Sequence, residues 1–379
     1  MKFPTNDATQ FKGFSLVSLG NIVAGIMGGG MWLFFATFME VSDYGEVGFF
    51  ISLGTVIGSL SVLGQNNVLL TYSYTDKNNE LLYQALSFAI ITSLIFTIAV
   101  IFIKWESAIL LLSVSLFAIS TSRILGKKKY KEYALVLITE SSIRVGLSLL
   151  LYPFLDMNGI LIAFALSHSI TSYKAIKNIK GFTLSWNLLR QKFNFSLFSF
   201  GHSSTMLLPT LIDKIIIIHF FGTNSLGNYH LGTQLFSLVS ILPISIFQFV
   251  LPQTKSGTVS RKLIIFLVVT SIIISIFFII LSPYLINTFY EEYVLIEFNQ
   301  ILGFAILPYC VTSLLNSKLY ATDNSKSVFI GGMIYSISLF IGLIILGNVL
   351  GLVGMAIALV MSILFQTIFL FLSWQKLNK

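Results

Sequence analysis

Apolar stretches long enough to cross a membrane recur along the whole sequence, and this limits the fold more than any other feature. A hydrocarbon core about 30 Å thick needs roughly 17 to 25 apolar residues in a helix. Only 10% of the residues are charged, whereas a soluble domain carries about 25%, so a water-soluble enzyme is excluded. We therefore predict an all-α integral membrane protein with 12 transmembrane helices and short connections. The predicted spans are Phe14–Phe38, Val47–Gly64, Leu82–Ile103, Ala108–Leu125, Tyr133–Phe154, Asn158–Tyr173, Phe195–Phe220, Tyr229–Leu251, Leu263–Leu285, Phe298–Leu315, Ser327–Val349 and Val353–Leu372.

Lysines and arginines set the predicted orientation. With a cytoplasmic N-terminus, 20 of the 23 Lys and Arg residues fall in inner segments, and Lys104 alone falls in an outer connection. Basic loop residues concentrate on the cytoplasmic side of membrane proteins, so we predict a multi-pass protein of the cytoplasmic membrane with both termini inside. The first span is longer than a signal-peptide core and is followed by no small-residue cleavage pattern, so we expect it to be retained.

The sequence also repeats itself. Short matches keep their order at a shift of 181 to 195 residues, which is typical of a duplicated unit, although chance agreement of apolar segments is the alternative. We predict an N-terminal six-helix bundle (1–180), an amphipathic basic linker (181–194) and a C-terminal six-helix bundle (195–379), related by a parallel pseudo-twofold repeat, as in transporters. The matches are Ser18–Gly20 with Ser199–Gly201, Tyr44-Gly45 with Leu226-Gly227, Ser122-Arg123 with Ser317-Lys318, and Gly159–Ala163 with Gly354–Ala358.

Helix-bending residues occupy related places in the two halves. Gly28, Gly29 and Gly30 in the first span correspond, at a shift of 181, to Pro209 and its neighbours in the seventh. Interrupted helices at corresponding positions point to a transport site, so we expect a hinge at these residues. The alternative is close helix packing through small residues.

The linker carries apolar residues at helical spacing among basic ones. Phe182, Trp186 and Leu189 recur at i, i+4 and i+7, with Lys180, Arg190 and Lys192 around them. This pattern favours a short amphipathic helix in the inner headgroup region. An ordinary basic connector is equally compatible with it.

Four charges inside spans are the main candidates for binding chemistry. Each costs about 2.5 to 3.5 kcal/mol at a helix centre and is expected to face a partner or water. Glu140 and Arg144 lie one turn apart and can pair, whereas the adjacent Asp213 and Lys214 are expected to look elsewhere, for example Lys214 to Glu140 and Asp213 to Arg144. We expect Arg144 and Lys214 to attract an anionic head group. The two acids would hold them or respond to H+ or Na+. A purely structural network is the alternative.

Arg123 and Lys318 occupy related places at the cytoplasmic ends of the fourth and tenth spans. They either snorkel to anionic lipid heads or receive a lipid-linked phosphate at the inward mouth. The cluster of Lys127, Lys128, Lys129 and Lys131 is interpreted as an orientation and inner-leaflet signal.

Sequence motifs for catalysis are missing. No glycine loop ends in Lys-Ser/Thr, no outer loop is large enough for a sugar-processing carboxylate pair, and the single cysteine, Cys310, has no metal-ligand spacing. We therefore expect a protein that is not an enzyme and has no bound cofactor beyond a coupling ion.

Two segments carry a family resemblance. Leu211–Gly222, which contains Asp213-Lys214 and an apolar run, continues to Leu226-Gly227-Asn228-Tyr229. It resembles the seventh-helix signature of the polysaccharide (O-antigen and capsule type) flippases of the multidrug/oligosaccharidyl-lipid/polysaccharide exporter superfamily. Phe34–Val41, followed by Tyr44–Gly48, is similar to their opening hairpin.

The resemblance implies a two-bundle transporter for surface polysaccharide biosynthesis. Such a protein moves a polyprenyl-pyrophosphate-linked oligosaccharide from the cytoplasmic to the outer leaflet by alternating access, with Asp213 and Lys214 at motif positions. Relatives that flip the peptidoglycan precursor have several arginines in the first two helices, and this sequence has none there. The expected partners are that substrate, membrane lipids and other polysaccharide assembly proteins, with no role for nucleic acid.

Two other functions stay open. One is a cation-coupled multidrug exporter of the same fold, for which Glu140 is the acid available in the first bundle. The other is a membrane enzyme of polysaccharide assembly. The enzyme is disfavoured because the outer connections are short and mostly acidic or neutral.

Overall fold

A computed structural model describes residues 7–74, 76, 79–176, 183–255, 261–322 and 324–377, and every regular element among them is an α-helix. Helices dominate because lipid offers no partner to the backbone, so each segment must satisfy its own N–H and C=O groups. The elements are α1 Asp7–Phe35, α2 Val41–Ser61, α3 Gln65–Tyr72, α4 Glu80–Ile101, α5 Trp105–Gly126, α6 Tyr130–Ile176, α7 Asn187–Gln191, α8 Phe193–Leu207, α9 Pro209–Lys255, α10 Arg261–Phe289, α11 Ile296–Gly303, α12 Ile306–Ala321 and α13 Ser325–Leu377.

Three of these elements are pairs of helices that meet at a residue with non-helical backbone. The breaks lie at Asp156 in α6, Gly222 in α9 and Gly351 in α13. Each break falls in a connection predicted between two spans. Within the described ranges, six helices are long and apolar enough to cross a membrane, and three bent pairs raise the number to nine. Because α6, α9 and α13 each divide in two, the total agrees with the predicted 12 spans and confirms the fold class.

The hairpins at Asp156 and Gly351 are built alike. Asp156 has φ 48° and ψ −137°, and Gly351 has φ 60° and ψ −137°. The two residues are 195 positions apart, which is the shift of the sequence repeat in this region. Gly159 lies directly against the Leu151 carbonyl and Gly354 against the Leu346 carbonyl, again at that shift. The chain therefore forms the same local turn twice, as a duplication predicts.

The residues fall into two compact units whose boundaries cut through helices. The first unit ends at Gly28 and resumes over Val47–Leu211, and the second contains Gly29–Glu46 and continues from Ile212. The two cuts through α1 and α9 lie close to the predicted hinge residues Gly28 to Gly30 and Pro209. These units describe packing, whereas the predicted halves 1–180 and 195–379 describe the duplication and stay a prediction.

Repeat-related glycines contact each other within the second unit. A Cβ atom at Gly45 would lie 2.8 Å from the Thr223 carbonyl oxygen, and one at Gly227 would collide with the Val41 carbonyl. Both glycines, and both carbonyl residues, are 182 positions apart. The contact is therefore reciprocal, with the same interaction made once from each segment. Only glycine permits so close a backbone approach.

The linker is docked on α4 of the first unit. The Gln84 Oε1 atom accepts hydrogen bonds from the N–H groups of Leu188 (3.0 Å) and Leu189 (3.3 Å). The Trp186 ring packs edge-on against Phe88 at 5.4 Å. The helix expected here is the short α7, which begins after Trp186, and Leu189 is buried against protein. Phe182 and Lys180 lie outside the described residues.

Candidate functional site

Glu140 is the centre of a buried polar group in the first unit. Its Oε1 atom lies 3.4 Å from Arg144 Nη1, one helical turn away, and accepts a hydrogen bond from Ser167 Oγ at 3.0 Å. The Oε2 atom accepts from Ser141 Oγ at 3.3 Å, and His168 Nδ1 lies 3.5 Å from Oε1. The predicted pair of Glu140 with Arg144 is therefore present. It forms part of a larger group that we call the Glu140 cluster.

His168 is a member of this cluster that the sequence analysis missed. Its Nδ1 atom lies 2.7 Å from the Phe164 carbonyl oxygen. A carbonyl only accepts, so Nδ1 carries the hydrogen in this geometry. The ring packs edge-on against Phe117 at 4.7 Å. The available signal was the polar dipeptide Ser167-His168 inside an apolar span.

Arg144 is held over an aromatic ring and against a glycine. Its guanidinium carbon lies 4.9 Å from the centroid of Phe164, a cation–π contact, and Nη2 donates to Ser141 Oγ at 3.2 Å. A Cβ atom at Gly28 would lie 3.2 Å from Nη2. The Nε atom is buried without a hydrogen-bond partner among the described residues. Gly28 therefore gives the guanidinium room, which supports its packing role.

Asp213 and Lys214 form a second buried pair in the second unit. Lys214 Nζ lies 3.7 Å from Asp213 Oδ1, so these neighbours do pair with each other, although both were expected to look elsewhere. Asp213 Oδ1 also accepts the Lys214 backbone N–H at 2.6 Å, and Oδ2 accepts a hydrogen bond from Tyr229 Oη at 2.9 Å. The lysine side chain can fold back because only about 100° separates the two side-chain directions.

The bond between Asp213 and Tyr229 depends on the break at Gly222. Sixteen residues separate the two, and a continuous helix would place them about 24 Å apart. Gly222 has φ 80°, a backbone conformation that glycine adopts without strain. Tyr229 is the tyrosine of the segment whose resemblance is described above. In the structure, the acid of that segment, Asp213, is therefore hydrogen-bonded to its tyrosine, Tyr229.

The other predicted residues are placed as follows. Arg123 Nη2 lies 3.4 Å from Asn79 Oδ1, and Lys318 Nζ lies 5.2 Å from the Trp374 ring centroid. Gly29 packs against the Leu238 side chain. Gly30 has no described atom within 4 Å of an added Cβ. Pro209 begins α9 immediately after α8 ends, which is where a bend was predicted.

Structural comparisons place this fold among transporters. No family model and no curated protein matches the chain. The chain is similar to the structure "Lipid II flippase MurJ, inward closed conformation", with TM-score 0.74, 20% identity, 95% of this chain covered and 87% of that chain. It is also similar to an inward-facing multidrug resistance MATE family transporter of the MOP superfamily, with TM-score 0.75, 14% identity, and 96% and 94% covered.

An outward-facing MATE family transporter of the same superfamily matches with TM-score 0.62 and 15% identity, covering 97% of this chain and 95% of that chain. These identities show the fold alone. The chain is therefore a multi-pass membrane protein with the fold of MOP-superfamily transporters. The expected fold is confirmed, and the narrower polysaccharide flippase family stays a prediction.

Proposed function

We propose that the protein is a flippase that moves a polyprenyl-pyrophosphate-linked oligosaccharide from the cytoplasmic to the outer leaflet by alternating access, for surface polysaccharide assembly. Both termini would be cytoplasmic. The observation that carries the proposal is a pair of buried cations, Arg144 and Lys214, each held by an acid within apolar membrane helices. One solved protein of this fold is named a lipid II flippase.

Arg144 is prepared to bind an anion. The Glu140 carboxylate and the Phe164 ring fix the guanidinium, while its buried Nε atom keeps an unused donor. Arg can hold a phosphate through two parallel charge-assisted bonds. A donor already fixed in place loses little side-chain entropy on binding. The geometry therefore suits a pyrophosphate better than a neutral or cationic ligand.

Lys214 would supply a second point charge for the same class of ligand. Its side chain is mostly buried, and its ammonium lies 3.7 Å from Asp213 Oδ1. A lysine contact is less directional than an arginine fork. We infer that Arg144 orients a phosphate group in the first unit and that Lys214 offers a less directional attraction in the second.

The proposed coupling ion is H+ or Na+. Glu140 lies beside His168, with Oε1 and Nδ1 3.5 Å apart. Histidine changes charge near neutral pH more readily than any other side chain. A proton bound here would weaken the hold of Glu140 on Arg144 and so couple protonation to anion binding.

The test is transport in proteoliposomes loaded with a fluorescent polyprenyl-pyrophosphate disaccharide, with quencher added outside to count molecules that have changed leaflet. We expect Arg144→Ala and Lys214→Ala to slow transport about 10- to 100-fold, the loss typical of a bond between charged groups. Arg190→Ala is the matched control, because Arg190 is exposed on α7. Wild-type rates in both variants would refute the proposal.

A cation-coupled multidrug exporter is the second candidate. It is favoured by the likeness in fold to MATE family transporters and by an acid, Glu140, placed beside a histidine. The same vesicles distinguish the two functions when they are given a lipophilic cation such as ethidium. Proton-driven uptake of ethidium that is lost in Glu140→Gln, without movement of the pyrophosphate lipid, would favour the exporter.

A further inference from the structure

A second group of cations lies at the end of α5 that is predicted to be cytoplasmic. Arg123 and Lys127 are one helical turn apart, and both direct a donor at the same neutral amide oxygen, Asn79 Oδ1. Arg123 Nη2 is 3.4 Å from that oxygen, and Lys127 Nζ makes a close hydrogen bond to it. Both cations are half-buried. All three residues belong to the first unit.

The charged residues near Arg123 and Lys127 interact with other groups, and the local net charge stays positive. Lys129 Nζ pairs with Glu132 at 2.7 Å, and Lys128 Nζ lies 4.5 Å above the Tyr74 ring. The Asp76 carboxylate attracts Lys127. It also accepts hydrogen bonds from the backbone N–H groups of Glu80 and Leu82 at the start of α4.

The pKa of Lys127 reflects the burial of its ammonium and the charges around it. Burial lowers the pKa of the Lys127 ammonium, and the neighbouring Arg123 charge lowers it further, while Asp76 opposes the shift. Like charges repel, so two cations this close to each other raise the free energy of the site. An anion between the two would remove the repulsion.

The repeat-related place in the second unit is built differently. At the shift of 195, Arg123 corresponds to Lys318 and Lys127 corresponds to Thr322. Lys318 lies over the Trp374 ring, and the Thr322 hydroxyl donates to the Lys318 carbonyl at 3.2 Å. One cation near a helix C-terminus is expected from the helix dipole and from membrane orientation. The second cation in the first unit exceeds what those effects require.

We propose that Arg123, Lys127 and Asn79 form a binding site for a phosphate group carried on a lipid. The planar arginine fork and the lysine point charge together match the oxygens of a phosphate or pyrophosphate. Two molecules carry a phosphate group of this kind: the transported lipid, through its pyrophosphate, and an anionic membrane lipid, through its headgroup. The first source rests on the function proposed above, and the second does not. In the bound state, the phosphate oxygens replace the amide oxygen as the acceptor of both cations.

The test is isothermal titration calorimetry on the purified full chain in a neutral detergent, with farnesyl pyrophosphate and dioctanoyl phosphatidylglycerol as separate probes. Lys127→Thr copies the residue of the second unit, and we expect it to weaken binding roughly tenfold, as loss of one charged hydrogen bond does. Lys127→Arg should restore binding. Two matched controls are Lys131→Thr, which removes an exposed charge nearby, and Lys318→Thr, which alters the repeat-related end.

The two probes separate the sources. Weakening for farnesyl pyrophosphate alone assigns the site to the transported lipid, and weakening for phosphatidylglycerol assigns it to the membrane headgroup. The proposal is overturned if Lys127→Thr binds both probes like wild type. It is also overturned if Lys131→Thr or Lys318→Thr loses as much affinity, since net charge alone would then explain binding.

The transport experiment keeps this inference separate from the proposed function. If Arg144→Ala abolishes transport while Lys127→Thr leaves calorimetric binding unchanged, the flippase proposal stands and the phosphate site fails. If Lys127→Thr weakens phosphatidylglycerol binding while Arg144→Ala leaves transport unchanged, the phosphate site stands and the flippase mechanism fails.

Discussion

The two buried ion pairs solve the same problem in different ways. Glu140 and Asp213 each lie before a helix break and each accept a hydrogen bond from a residue beyond it. The Glu140 carboxylate has several partners, including His168 and Arg144, whereas Asp213 has its neighbouring lysine and Tyr229. The Glu140 cluster is therefore the more redundant of the two, because the Glu140 carboxylate keeps other partners when one of them is lost. In the second, Asp213 has fewer partners among the described residues.

The largest expected effect is therefore at Asp213. Asp213→Ala leaves the buried Lys214 without its carboxylate, and breaking a buried pair typically destabilises by about 3 to 5 kcal/mol. Glu140→Ala should be milder by about 1 to 2 kcal/mol, since Arg144 keeps its cation–π contact. Thermal unfolding in detergent, followed by tryptophan fluorescence, measures both. Equal losses would show that the Glu140 cluster is no more redundant than the Asp213 pair.

Removing one hydroxyl from each site gives a smaller version of the comparison. Tyr229→Phe deletes the side-chain hydrogen bond that links Asp213 across Gly222, and we expect a loss of about 1 to 2 kcal/mol, within the range for hydrogen bonds to charged groups. Ser167→Ala deletes one of several bonds and should cost about 0.6 kcal/mol, the average for hydrogen bonds in a membrane protein. Denaturation in mixed micelles resolves the two. A larger loss in Ser167→Ala would reverse the assignment of redundancy.

The two hairpins allow the smallest comparison. Asp156 adopts at φ 48° the same turn that Gly351 adopts at φ 60°, and a non-glycine residue held there stores about 1 to 3 kcal/mol of strain. We expect Gly351→Asp to destabilise by this amount and Asp156→Gly to stabilise by up to about 1 kcal/mol after the added freedom of the unfolded chain. Melting temperatures of the two variants check the sign. Destabilisation by Asp156→Gly would mean that the Asp156 side chain stabilises the turn.

Much of the fold could be predicted because lipid selects apolar stretches of a fixed length. The breaks at Asp156, Gly222 and Gly351 fall between predicted spans for the same reason. The four intramembrane charges were also found, since each is an exception in an apolar background. Sequence shows which residues are exceptional, but a hydropathy pattern contains no distances.

The hydrogen-bond partners that lie across a helix break from their acids could not be predicted from the sequence. Tyr229 lies 16 residues from Asp213 and Ser167 lies 27 residues from Glu140, so neither has helical spacing to its acid. His168 was passed over because a single histidine in a span has no pattern. Lys127 was interpreted as an orientation signal because that rule counts basic residues without regard to their neighbours.

Under the predicted duplication, the reciprocal contact of Gly45 and Gly227 constrains how the two halves can diverge. Each glycine faces the other copy's backbone, so a bulkier residue in either copy disturbs both at once. A change at either glycine therefore requires an adjustment of the backbone in the other segment. We expect an alignment of homologous chains to keep a small residue at both positions, even where the two halves have lost all other likeness.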